Sequence, residues 1–311
     1  MPNDHSLLFK KKSSRYTTFQ LGGLTIGVEN SVWPSLLRED PAEHVSFLCS
    51  SNCLEADVQI CMEMESVYEK SVTPSAIVFS DKYYRINEVS NGFQVLRYGV
   101  QQQQRPYLTI QTDRNFSNFI YSFHIPSCCS EKKQTIFPAV SALDALLLKH
   151  TVINHQGLII HAAGGAIQGK GMVFSAQSGI GKSTICRLLL QSQGNILFSE
   201  ERIIIRSHEI GWKVWGTPWH GESKIALNES APFAALIFLR QAQETAITRL
   251  HPSDALRRLL QTTSIPWYNE EWMSKGLAVC ETLLQDIPVF ELAFRPDRSA
   301  VQAVERLAGE L

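Results

Sequence analysis

One stretch limits what this chain can fold into more than any other: Ala176-Gln177-Ser178-Gly179-Ile180-Gly181-Lys182-Ser183-Thr184. The apolar run Met172-Val173-Phe174-Ser175 precedes it, and Ile185, Leu188 and Leu189 recur at helical spacing behind it. Strand, glycine-rich turn and helix in that order let successive backbone N–H groups converge on phosphate oxygens, with the positive end of the helix dipole behind them. The pattern is that of a Walker A loop, with Ala176 where the strict form has glycine. Ser178, Gly179, Ile180, Gly181 and Thr184 would form the cradle, Lys182 would reach the terminal phosphates, and the Ser183 hydroxyl would ligate Mg²⁺. A nucleotide-binding α/β unit is therefore expected around this segment.

The rest of the chain reads differently on either side of residue 138. Before it, apolar residues recur with period two, as in Val58, Ile60, Met62 and Met64, and the breaks carry turn chemistry. Asn91-Gly92 between Tyr84–Val89 and Phe93–Tyr98 is a strong hairpin signal. Further strands are expected at Phe19–Leu21, Leu24–Val28, Ile77–Phe79 and Leu108–Ile110. From Pro138 to Asn154 the period becomes helical through Ala139, Leu143, Leu146, Leu147 and His150. Two domains follow: a β-rich one over 1–137 and a mixed α/β one over 138–311. In the second, Leu158–His161 and Met172–Ser175 read as two strands joined by a turn rich in glycine, Gly164-Gly165 and Gly169-Lys170-Gly171. Towards the end, Ser253-Asp254 would cap an Ala255–Leu260 helix, Val289–Leu292 alternates like a strand, and Val301, Val304 and Leu307 share a helix face. Arg257 and Arg258 read as a solvated helix face, with phosphate contact as the other option.

Composition narrows the partners. With 311 residues and 44% hydrophobic content, the chain has core enough to fold without disulfide staples. Lys and Arg total 29 against 30 for Asp and Glu, so no broad basic field steers it towards nucleic acid or an anionic membrane. No apolar run approaches the roughly 20 residues of a membrane helix, and a soluble, cytoplasmic protein is expected. Seven scattered cysteines suit a reducing compartment. The adjacent Cys128-Cys129 pair is poorly suited to sharing one zinc ion with Cys49 and Cys53.

Two further segments carry chemistry. Ile196-Leu197-Phe198 is an apolar strand that ends in Ser199-Glu200-Glu201-Arg202 before Ile203-Ile204-Ile205 resumes. Carboxylates there either make an exposed turn or, beside a phosphate loop, hold the metal and take a proton from an attacking hydroxyl. Trp215-Gly216-Thr217-Pro218-Trp219-His220-Gly221-Glu222 has too much glycine and proline for a core strand. It reads as a loop in which Glu222 can complete a metal site and Trp219 or His220 can line a pocket, or in which the tryptophans simply plug the surface.

This order of signals, a strand ending in His161, the Ser178–Ser183 loop, Glu200-Glu201 and then Gly216–Glu222, resembles the catalytic domain of HPr kinase/phosphorylase, and most of all the HPr kinase-related branch found beside peptide-modification genes. The resemblance covers about residues 138–235. It implies a nucleotide domain similar to that of phosphoenolpyruvate carboxykinase, ATP and Mg²⁺ as cofactors, and transfer of the γ-phosphate to a serine hydroxyl of a protein or peptide. It also implies that Glu200, with Lys182 and His161, is catalytic, that Glu201 and Glu222 lie near the metal with Ser183, and that homo-oligomers are common. The chain departs from the family in having Glu200 where aspartate is usual and in lacking the typical acceptor-recognition loop, Ala293–Arg298 standing in that region. A nucleotide-binding regulatory module that has lost transfer and a small-molecule kinase are the competing expectations.

Overall fold

The computed structural model describes residues 15–30, 46–49, 55–65, 74–99, 102–124, 145–177, 179–221 and 223–311. The described residues are of mixed α/β class, with two sheets and mostly strands. Their contacts separate two compact units, the described residues up to 124 in the first and those from 145 onward in the second, with residues 20–23 and 46–47 grouped with the second. The expected boundary at 137/138 and the first half of the expected 138–154 helix lie outside the described residues, as do Cys53, Cys128 and Cys129.

In the first unit β1 (Arg15–Leu21), β2 (Leu24–Asn30), β3 (Leu48–Cys49), β4 (Val58–Glu65), β5 (Ala76–Ser80), β6 (Tyr84–Val89), β7 (Gly92–Gly99), β8 (Gln102–Asp113) and β9 (Asn118–His124) form one sheet in the order β3-β1-β2-β4-β9-β8-β7-β6-β5. The period-two pattern is realised: Val58, Ile60 and Met62 are buried, whereas Gln59 between them is exposed. β6 and β7 pair antiparallel from Val89↔Gly92 outward, the hairpin that Asn91-Gly92 predicts.

The second unit begins with α1 (Ala145–Asn154), β10 (Gly157–Ile160), β11 (Ala162–Ile167) and β12 (Lys170–Ser175). Sequence reading placed Gly164-Gly165 in a turn; they lie inside β11 instead. The reason is close approach, because a Cβ on Gly165 would stand 2.1 Å from the Ile196 carbonyl oxygen of the neighbouring strand. The turn is tighter than expected, at Gln168-Gly169, both with positive φ. Next come α2 (Lys182–Leu189), β13 (Asn195–Ser199), β14 (Ile203–His208), β15 (Gly211–Trp215), β16 (Ser230–Gln241), β17 (Ala246–Arg249), α3 (Pro252–Thr262), α4 (Glu270–Asp286), β18 (Val289–Phe294) and α5 (Arg298–Glu310). Trp215 therefore ends a strand and does not belong to the loop predicted there. The cap of α3 is His251, whose side chain accepts from the Ser253 N–H, in place of Ser253-Asp254.

Strand direction positions the chemistry. β12 is parallel to β16, β16 is parallel to β18, and β13 runs antiparallel to β11, itself antiparallel to β12. The carboxyl ends of β12, β13, β16 and β18 consequently emerge at one edge, where open α/β sheets place their ligands. Residues of β12 and β16 alternate between two cores: Met172, Phe174, Ala235 and Ile237 meet Ile185, Leu189 and Val304 from α2 and α5, while Val173, Leu236 and Phe238 meet Leu259, Val279 and Leu283 from α3 and α4. Burying both faces rigidly fixes the edge between them.

Candidate active site

At the end of β12 the backbone turns through Gly179 (φ 82°) and Gly181 (φ 107°), conformations that side-chain-bearing residues rarely adopt. Gly181 caps α2 without a side-chain hydrogen bond, leaving the first-turn N–H groups to point at an anion. A Cβ on Gly179 would meet nothing within 4 Å, so the loop opens on free space. Buried Ile185, Cys186 and Leu189 hold α2 on the sheet.

Lys182 Nζ lies 2.8 Å from His161 Nε2. An ammonium group can only donate, so Nε2 is the acceptor and the imidazole proton sits on Nδ1, 3.3 Å from Glu201 Oε1. His161 is therefore neutral in this arrangement, and burial together with the Lys182 charge lowers its pKa from the ordinary value. Burial also lowers the Lys182 pKa, against the pull of the Glu201 and Glu200 carboxylates. His161 occupies the bend between β10 and β11, which brings it to the same edge as the loop.

Glu200 and Glu201 follow β13 directly. Glu200 is 3% exposed; its Oε1 accepts the Ser223 N–H at 2.5 Å, and its Oε2 has no hydrogen-bond partner among the described residues. Burying a carboxylate oxygen without a partner is costly, which leaves this oxygen as an acceptor for a donor brought into the cleft. The turn is fastened to the Gly216–Gly221 segment: Ser199 Oγ donates to the Trp219 carbonyl at 2.8 Å and Thr217 Oγ1 to the Arg202 carbonyl at 2.6 Å. Gly221 passes over Glu200 so closely that a Cβ there would stand 2.6 Å from Oε1.

Together these residues line a cleft of about 680 Å³ containing His161, Gly179, Gly181, Lys182, Ser183, Thr184, Glu200 and Glu201, with Gln177, Arg187 and Gly221. The geometry thus gathers both strand-end groups and the loop, although the acidic pair and His161 are distant from it in sequence. Ile180 faces a neighbouring cavity instead, and Trp219 and His220 do not line the cleft. Ser178 and Glu222 lie outside the described residues. Gln177, Arg187 and Gly221 are additions that sequence reading missed. For Arg187 a signal was present, since it is one helical turn beyond Ser183 and falls on the same face of α2. Among the described residues no cluster of three His, Cys, Asp or Glu side chains makes a preformed metal site. A bound cation would need ligand oxygen in addition to Ser183 and the carboxylates.

The family described as SynChlorMet cassette protein ScmC matches residues 129–293, which include the loop, His161, the acidic pair and the segment over Glu200. The chain belongs to the ScmC family. No curated protein matches it. Among solved structures it is similar to the Hpr(Ser) kinase/phosphatase from Coxiella burnetii at 11% identity and a TM-score of 0.31, covering 49% of this chain and 88% of that one. Among the described residues of this ScmC member, no helix is long and apolar enough to cross a membrane.

Proposed function

We propose that this chain is an ATP- and Mg²⁺-dependent phosphotransferase of HPr kinase-like type that phosphorylates a hydroxyl, serine foremost, on a protein or peptide. The observation that carries this reading is the meeting, in one cleft, of a phosphate loop with a buried carboxylate whose second oxygen lacks a partner among the described residues. The loop N–H groups and Lys182 would hold the phosphates, and Ser183, Glu201 and Glu222 would hold the cation, which neutralises charge on the phosphates when bound. Glu200 Oε2 would accept the proton of the attacking hydroxyl while Oε1 stays anchored on the Ser223 N–H. Neutral His161 would fix the Lys182 ammonium at the mouth of the loop. Positioning and electrostatics would supply most of the rate, as in phosphoryl transfer generally.

The test is transfer of γ-labelled phosphate from ATP into a host-cell extract, with mass spectrometry of the labelled species. Lys182→Ala is expected to lose nucleotide binding and transfer together. Glu200→Gln is expected to keep binding and to lose transfer by a factor on the order of 10²–10⁴, the usual contribution of a general base. Equal labelling by wild type and both variants would overturn the proposal. The glutamate at 200 supports a second reading, a nucleotide-binding module without transfer; it is favoured if wild type binds ATP but labels nothing and Glu200→Asp gains activity.

A further inference from the structure

A second cavity, of about 280 Å³, lies against the other flank of the phosphate loop, within the same unit. Gln177 borders both cavities, and Ile180, Phe238, Arg258, Gln261 and Glu291 line this one. None of the groups that would handle the transferred phosphoryl, His161, Glu200 or Glu201, reaches it. The cleft takes its lining from the ends of β10 and β13, whereas the second cavity is lined by Phe238–Arg240 near the carboxyl end of β16, by Glu291 within β18 and by the last turns of α3.

Its chemistry suits a flat, uncharged group better than an anion. Arg240 Nε and Arg258 Nη1 each hold one oxygen of Glu291 at 2.8 Å, so both guanidinium groups are already committed to a carboxylate. Burial pushes the Glu291 carboxyl up, but the two arginine hydrogen bonds outweigh it and keep it ionised. Arg257, on the rim, is exposed and paired with Asp254 at 3.3 Å. The pinned Arg258 guanidinium lies over the Phe238 ring, 5.9 Å from its centroid, which leaves a rigid planar surface of the kind on which heteroaromatic bases stack. Ala176 and Ile180 supply apolar wall, and the amides of Gln177 and Gln261 both donate and accept, as a base edge requires. The size is just under the ~300 Å³ at which small-ligand pockets begin, enough for a nucleoside and too little for a whole nucleotide.

We propose that this cavity takes the purine nucleoside end of the nucleoside triphosphate, with the base against Arg258 and the phosphates leading across Gln177 into the loop. The inference rests on the nucleotide reading above, since a triphosphate whose terminal end faces Glu200 must leave the loop on the opposite flank. Calorimetric titration of the full chain with Mg²⁺-ATP and with Mg²⁺-tripolyphosphate separates the two ideas. Wild type is expected to bind both, ATP about tenfold more tightly or better, in line with the worth of one stacked base. Gln261→Trp, which fills the cavity from an exposed position on α3, is expected to remove that advantage while leaving tripolyphosphate binding and melting temperature unchanged. Arg258→Met, which keeps the stem and deletes the planar head, is expected to act in the same direction. The proposal is overturned if ATP and tripolyphosphate bind wild type equally, if both variants keep the preference, or if both ligands weaken in parallel. Failure of tripolyphosphate to bind wild type at all would instead remove the phosphate-loop reading, and this inference with it.

Discussion

Between Lys182 and Glu201 the His161 ring meets two opposite charges, the cation at 2.8 Å on one nitrogen and the carboxylate at 3.3 Å on the other. Burial and the cation win, which is why the imidazole pKa falls below 6.5. Each contribution has a sign that nuclear magnetic resonance titration of the histidine C2 proton can read. Lys182→Met is expected to raise the His161 pKa, and Glu201→Gln to lower it further; no movement in either variant would mean that the contacts are absent in solution. Linkage follows the same direction. The unfolded chain takes up this proton near 6.5 while the folded chain resists it, so the stability involved is complete above 6.5 and is lost as the pH falls through the folded value. Part of this site was legible in residue order. The loop announced itself because its glycines, lysine and serine act on one ligand within a few residues of each other. The resemblance put His161 and Lys182 in one site, but their direct contact was not legible from the residues, because it depends on β11 running antiparallel to β12. Nor was the close passage of Gly221 over Glu200, which joins residues far apart in the chain.

Elements were readable where one face is buried and the other wetter, as in β4, or where a turn signal marks a hairpin, as in β6 and β7, and were misread where glycine serves packing instead of turning, as in β11. α4 escaped notice because its buried residues, Trp272, Gly276, Val279, Cys280 and Leu283, mix sizes that do not look like an apolar stripe. Its start is nevertheless well marked: the Asn269 side chain accepts the Trp272 N–H at 3.1 Å, and Glu270 and Glu271 occupy the first turn. Removing that cap by Asn269→Ala is expected to cost about 1 kcal/mol, measurable in denaturant melts as a shift of midpoint with unchanged slope. Asn269→Asp, which keeps an acceptor, is expected to recover most of the loss.

At the scale of the whole molecule, the two cores of the second unit share β12 and β16, so neither should open without the other. Each contains one thiol that burial pushes up to about 12, Cys186 under α2 and Cys280 within α4. Both are expected to resist alkylation in the native protein and to become reactive over the same range of denaturant, as followed by mass spectrometry of the two peptides. Reaction of one well before the other would show that the sheet does not couple them. The common direction of β12, β13, β16 and β18 carries a different lesson. Every group with chemistry to perform leaves the scaffold where a strand has just ended, and the strands themselves contribute only position. Substitutions confined to the loops of that edge can thus alter what is bound there while leaving the packed interior untouched.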